Sequence, residues 1–157
     1  MKKFSIEIKW GVIFSIVSLL WMFLEKGLGW HDENIAVHAI YTNLFAIVAI
    51  ILYVFALLDK RKNFYNDKMT WTQGFVSGII ISVVVAILSP LAQYITHEFI
   101  TPDYFENAIE NSVLNGNTRE NAEAYFNLKS YMLQSFFFAL VAGVVTSAIV
   151  ALFVRRK

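Results

Sequence analysis

Four apolar stretches, each long enough to cross a bilayer, constrain this chain more than any other feature: residues 10–29, 35–58, 71–95 and 133–154. A hydrocarbon core about 30 Å thick takes roughly 20 helical residues to cross, and inside it every backbone N–H and C=O must find a partner within the segment. Four membrane-spanning helices are therefore predicted. Only the first carries ionised side chains, Glu25 and Lys26 near its far end. The composition agrees, at 57% hydrophobic and 16% charged, where a soluble domain averages roughly 45–50% apolar and 25% charged. The expected fold is all-α: one membrane domain over residues 1–157, an integral four-helix bundle.

The charges in the connecting segments assign sides. Lys2, Lys3, Lys9, Lys60, Arg61, Lys62, Lys68, Arg155, Arg156 and Lys157, ten of the thirteen basic residues, fall on one side. By the positive-inside rule that side is cytoplasmic, and both termini with it. The opposite side holds Lys26, Arg119 and Lys129 with nine of the twelve acids. The net charge of +1 conceals this polarity. Because topology and contact with anionic lipid account for the basic clusters, the bilayer is the expected partner and nucleic acid is not. Lys2-Lys3 before an apolar run resembles a signal peptide, but no small-residue cleavage site follows, so a retained first span is expected. With no cysteine in the chain, the segment between the third and fourth spans has no disulfide to hold it.

That segment, residues 101–130, reads as an extracytoplasmic amphipathic helical hairpin. Thr101 before Pro102 and Asp103 starts a helix, Gly116 stops it, and Tyr104, Phe105, Ala108, Ile109 and Val113 share a face. Asn117 with Glu120 three residues later resembles a capping box for a second helix. In the spans, Gly74, Gly78, Ser82 and Ala86 recur every fourth residue, as do Ser135, Ala139, Gly143, Ser147 and Ala151. Such strips let helix backbones approach closely. They predict packing against each other within the chain, or against a second copy or another membrane protein. Pro90 predicts a kink in the third span.

Polar residues concentrate at the outer ends of the spans. Glu25, Lys26, His31, Asp32, His38, Asn43, Gln93 and His97 are the candidates for one outward-facing cluster. Ionisable groups at membrane depth are costly and are paired or functional when present. His31, His38 and His97, with Glu25, Asp32 and Glu98, are donor types that suit zinc, yet none has the His-x-x-x-His or His-Glu-x-x-His spacing of a recognisable metal site. The same histidines could instead form a proton-responsive cluster. Asn43 and Gln73 read as amides bridging helices. No nucleophile elbow, Ser-His-Asp order or glycine-rich phosphate loop occurs. No cofactor is implied and a non-enzymatic role is favoured.

Several runs carry a family resemblance: Glu25-Lys26 with Gly29 and His31-Asp32; Thr42-Asn43-Leu44-Phe45; Gln73-Gly74-Phe75 with Ser77-Gly78; Ser89-Pro90-Leu91 with Gln93-Tyr94-Ile95-Thr96; Ile100 to Phe105; and Ala124 to Tyr131. Together they resemble a family of small bacterial membrane proteins, domain of unknown function 4199, over nearly the whole chain. The resemblance implies a four-span inner-membrane protein without an assigned activity, substrate or cofactor, and transfers no catalytic residue. It raises Glu25, His31, Asp32 and His38 as candidates. Three readings follow: an accessory or interaction protein; a small oligomeric transporter or ion-responsive or proton-responsive protein using Glu25, His38, Gln93 and His97; and a metal-dependent membrane enzyme. Whether Glu25, His31, His38 and His97 meet in space separates the first from the others.

Overall fold

The computed structural model describes residues 3–156, which leaves Lys2 and Lys157 of the charge argument outside. Helix α1 spans Ser5–Gly27; α2, Ile35–Tyr41, passes through a 3₁₀ turn at Thr42–Leu44 into α3, Phe45–Phe64; and α4, Trp71–Ile95, ends in a π-helical turn at Thr96–Ile100. Two short helices follow, α5 over Tyr104–Leu114 and α6 over Arg119–Tyr125, before α7 over Leu128–Val154. The chain is an all-α bundle in which four helical stretches, Ser5–Gly27, Ile35–Phe64, Trp71–Ile100 and Leu128–Val154, are long and apolar enough to cross a membrane. Among the described residues the one β-type pairing is a bridge between Met69 and Arg156, which ties the start of α4 to the end of α7.

Caps explain where the helices begin. Thr70 and Gln73 form a reciprocal capping box on α4, in which the Gln73 side chain accepts from the Thr70 N–H at 2.8 Å, so Gln73 serves its own helix end and is not an interhelical bridge. Thr118, rather than Asn117, caps α6 by accepting from the Asn121 N–H. Asn127 caps α7 by accepting from the Ser130 N–H at 2.9 Å, which starts that span well before residue 133. Pro90 sits inside an uninterrupted α4. Its missing N–H frees the carbonyl of Ala86, and the Ser89 hydroxyl donates to that carbonyl at 2.9 Å. The irregularity comes later, at the π turn.

The small-residue strips face one another within the chain. An added Cβ at Gly78 would overlap the Ser147 side chain, and one at Gly143 would overlap Ser82 and the Tyr53 hydroxyl. In lipid, which gives helices no water-driven reason to associate, that close approach supplies the packing. α1 joins through Gly11, where a Cβ would meet Val84 of α4. Tyr53, Leu57, Met69, Ile81, Val150 and Ala151 form the buried core towards the end that carries both termini. Outward-facing Leu20, Phe55, Ile87, Phe137 and Phe153 are more than half exposed, a surface suited to acyl chains rather than water.

At the other end α5 and α6 make the expected hairpin, a cap. α5 buries Tyr104, Ala108 and Ile109, whereas Val113 is exposed. Arg119 bridges the two helices, its guanidinium donating to Glu106 at 2.7 Å and to Glu123 at 2.8 Å.

Candidate metal centre

The cap end is built by a reversal of the chain after α1. Gly29 takes φ of +72°, the Trp30 N–H donates back to the Glu25 carbonyl, and the Gly29 N–H donates to that of Lys26, both at 3.0 Å. This is a Schellman ending, and glycine supplies the left-handed residue it requires. The turn brings His31 back over the helix it has just left. α2 then lays His38, seven residues further on, beside it.

Glu25 is the centre. Its Oε2 lies 2.9 Å from His31 Nε2 and 3.2 Å from His38 Nε2, and its Oε1 accepts from the Trp21 indole N–H at 2.5 Å. Glu25 and His31 are buried at 0% and 1% exposure, and the three ligand atoms of Glu25, His31 and His38 lie within 4.8 Å of one another. Both imidazoles aim the same kind of atom at one carboxylate oxygen, so in the metal-free form each must carry its proton on Nε2 to donate there. His31 Nδ1 is buried with no hydrogen-bond partner among the described residues.

The cap closes over this group. Tyr104 of α5 lies with its hydroxyl 3.4 Å from His38 Nδ1 and 3.0 Å from the Tyr131 hydroxyl of α7. Its ring meets His31, His38 and His97 with centroids 5.1–5.3 Å apart. Burial pushes the Tyr104 phenol up to about 12, so it stays a neutral donor at physiological pH. Asn107 of α5 donates to the His31 carbonyl at 3.1 Å and to Asp32 at 3.3 Å.

The remaining candidates separate. Lys26 pairs with Asp32, donating at 2.7 and 2.9 Å, at the rim of the cluster. His97 joins through rings rather than ligand atoms, stacked on Phe105 at 4.2 Å and 3.1 Å from Gln93 Oε1. Asn43 is exposed and donates to the Ala39 carbonyl at 2.6 Å, outside the cluster.

A second buried polar group, at the end with the termini, has no counterpart in the sequence reading. Glu7 accepts from Lys60 at 2.8 Å and from the Ser77 hydroxyl at 2.9 Å. Lys60 also donates to the Lys3 carbonyl at 2.7 Å and lies 3.7 Å above the Phe64 ring. Glu7, Lys60 and Ser77 are all at most 2% exposed. Lys60 is therefore no surface residue of a basic loop, and Glu7 is a second acid within the helix that forms the first span. Tyr104, Tyr131, Trp21 and Asn107 are also site residues that the sequence did not signal.

Four apolar helices with outward-facing aliphatic and aromatic side chains define a multi-pass membrane protein. The chain belongs to the family described as "Protein of unknown function (DUF4199)", whose model matches residues 9–156. No curated protein and no solved structure matches it.

Proposed function

We propose that this membrane protein is ion-responsive and holds a divalent transition-metal cation, of the imidazole-favouring kind typified by zinc, between Glu25, His31 and His38. The observation that carries the reading is the aim of two Nε2 atoms at one buried carboxylate oxygen, 2.9 and 3.2 Å away. A tetrahedral zinc ion, about 2.0–2.2 Å from each donor, sets its ligands roughly 3.4 Å apart, so to admit it the imidazoles would draw back from Glu25, now 2.9 and 3.2 Å away, and settle at the same spacing from each other, all three atoms starting within 4.8 Å. The ion would take the place of the two Nε2 protons. With Asp32 already paired to Lys26, the Glu25 carboxylate would be the negative charge facing the ion. The reading ranks above a bare accessory scaffold because packing helices together gives no reason to place a carboxylate and two imidazoles in contact out of water.

In this reading the cap faces the extracytoplasmic side of a bacterial inner membrane, with both termini in the cytoplasm; the distribution of Lys and Arg supports it. Because the chain lacks cysteine, Asn115→Cys at the cap's tip gives a single reporter. It should react with an impermeant maleimide added to intact spheroplasts, and protection until lysis would reverse the topology.

The metal reading is tested on protein stripped with chelator in mild detergent and titrated with Zn²⁺ in a calorimeter. One ion per chain is expected for the wild type and none for Glu25→Gln or His38→Ala, while His97→Ala binds as the wild type does. Binding unchanged in Glu25→Gln, or absent in the wild type, overturns it.

A further inference from the structure

In the half towards the cap lies a cavity of about 460 Å³, walled by α1, α3, α4 and α7. Its floor is closed where the Tyr53 hydroxyl meets Ser82 at 2.8 Å and Ser82 donates to the Gly78 carbonyl at 2.8 Å. Ala46, Ile50 and Phe138 line it and are themselves exposed, which sets its mouth between α3 and α7 on the lipid-facing surface. Thr42, Asn43, Gln93 and Thr96 form a polar rim at the cap end.

We propose that this cavity holds a hydrocarbon chain of a phospholipid from the cap-side leaflet, bound within the bundle rather than around it. Two observations select that occupant. The wall is apolar in effect, because its serines are already used by their own helices: Ser15 donates to the Gly11 carbonyl at 3.0 Å, Ser18 to that of Ser15 at 2.8 Å and Ser135 to that of Met132 at 3.0 Å. Water, which needs two to four polar partners, finds few there. The depth fits one leaflet: on α1 the lining runs from Phe14 to Met22, about 12 Å by the helical rise, against half of a hydrocarbon core about 30 Å thick. A flexible chain fits, with the ester region of its lipid at the amide and hydroxyl rim.

The full-length protein is reconstituted in phosphatidylethanolamine–phosphatidylglycerol vesicles containing phosphatidylglycerol spin-labelled near the end of one acyl chain, and the immobilised component is read by electron paramagnetic resonance. The wild type should show an immobilised lipid beyond the annular shell. Ala46→Trp and Ala142→Phe, which fill the cavity, should lose it, and Val145→Phe, exposed on α7 outside the cavity, should keep it. Because a large side chain could disturb the bundle, zinc binding and circular dichroism of each variant verify the fold. Equal immobilised fractions in folded filled and unfilled variants leave only annular lipid and overturn the proposal. So does crosslinking of Ala46→Cys to Phe138→Cys of a second copy, which would give the space to that copy.

Discussion

Helix α1 buries a carboxylate at each end, and the two are treated differently. Glu7 and Glu25 are eighteen residues apart, five full turns or about 27 Å along the helix, so they lie on the same face at opposite edges of a bilayer. Glu7 meets the Lys60 ammonium and the Ser77 hydroxyl, supplied by α3 and α4, two of the long helices. Glu25 meets two imidazoles, one on a turn and one on a seven-residue helix, under a cap. The lysine ammonium can only donate, whereas the imidazoles can donate, accept or ligate a metal. One end is a fixed clasp. The other depends on what it binds.

Removing a partner should separate the two ends most sharply at the clasp. Lys60→Met leaves the Glu7 carboxylate buried without a counter-charge, a change that costs about 3–5 kcal/mol where such pairs have been broken. Thermal unfolding in detergent, followed by tryptophan fluorescence, should show this loss, and Glu7→Leu combined with Lys60→Met should recover most of it, since an apolar pair of similar volume is tolerated. Glu25→Gln should cost the metal-free protein less, because the amide oxygen still accepts from both imidazoles and only the Trp21 indole N–H loses its acceptor. Equal losses at the two ends would remove the distinction.

The next effect is confined to the cap end. At a free Zn²⁺ concentration of 100 times Kd, binding stabilises the folded state by about 2.7 kcal/mol. The wild type should gain this on addition of metal and Glu25→Gln should gain nothing. Lys60→Met should gain as much as the wild type, because sites this far apart with no shared partner contribute additively. A smaller gain in Lys60→Met would mean that α1 couples its two ends.

How much of this the sequence disclosed follows the same division. Length and apolarity place four spans, because the bilayer's thickness and dryness leave a chain few choices, and the fourfold spacing of Gly74, Gly78 and Ser82 or of Ala139, Gly143 and Ser147 marks the faces that meet. The clasp was hidden because Glu7 and Lys60 are fifty-three residues apart and each lies next to polar sequence that resembles a loop. The cluster was half visible. Its residue types stood out at the span ends, but their meeting depends on the reversal at Gly29, and no single helix carries Glu25, His31 and His38 at a recognisable spacing. Tyr104 was legible only as an apolar residue on a cap helix, since nothing in its neighbours says that its hydroxyl reaches inward.

That hydroxyl provides the smallest and most local test. Tyr104→Phe keeps the ring against His31, His38 and His97 and removes the hydroxyl that shares a hydrogen bond with Tyr131 at 3.0 Å, a loss of about 1 kcal/mol at neutral pH. The pH dependence carries a sign. Burial raises the Tyr104 phenol from 10.0 to about 12, so between those values the native cap retains a proton that the opened cap has released, and stability falls as pH rises through the window. Below pH 10 the contribution is fully present. Cap stability, measured by hydrogen exchange of the α5 amides after correction for the intrinsic rates, should therefore decline from pH 10 to 12 more steeply in the wild type than in Tyr104→Phe. Parallel declines would place Tyr104 in water and open the lid over the cluster, whereas a steeper decline in the wild type, with the clasp's stability unaffected by the substitution, would confine the effect to the end that binds.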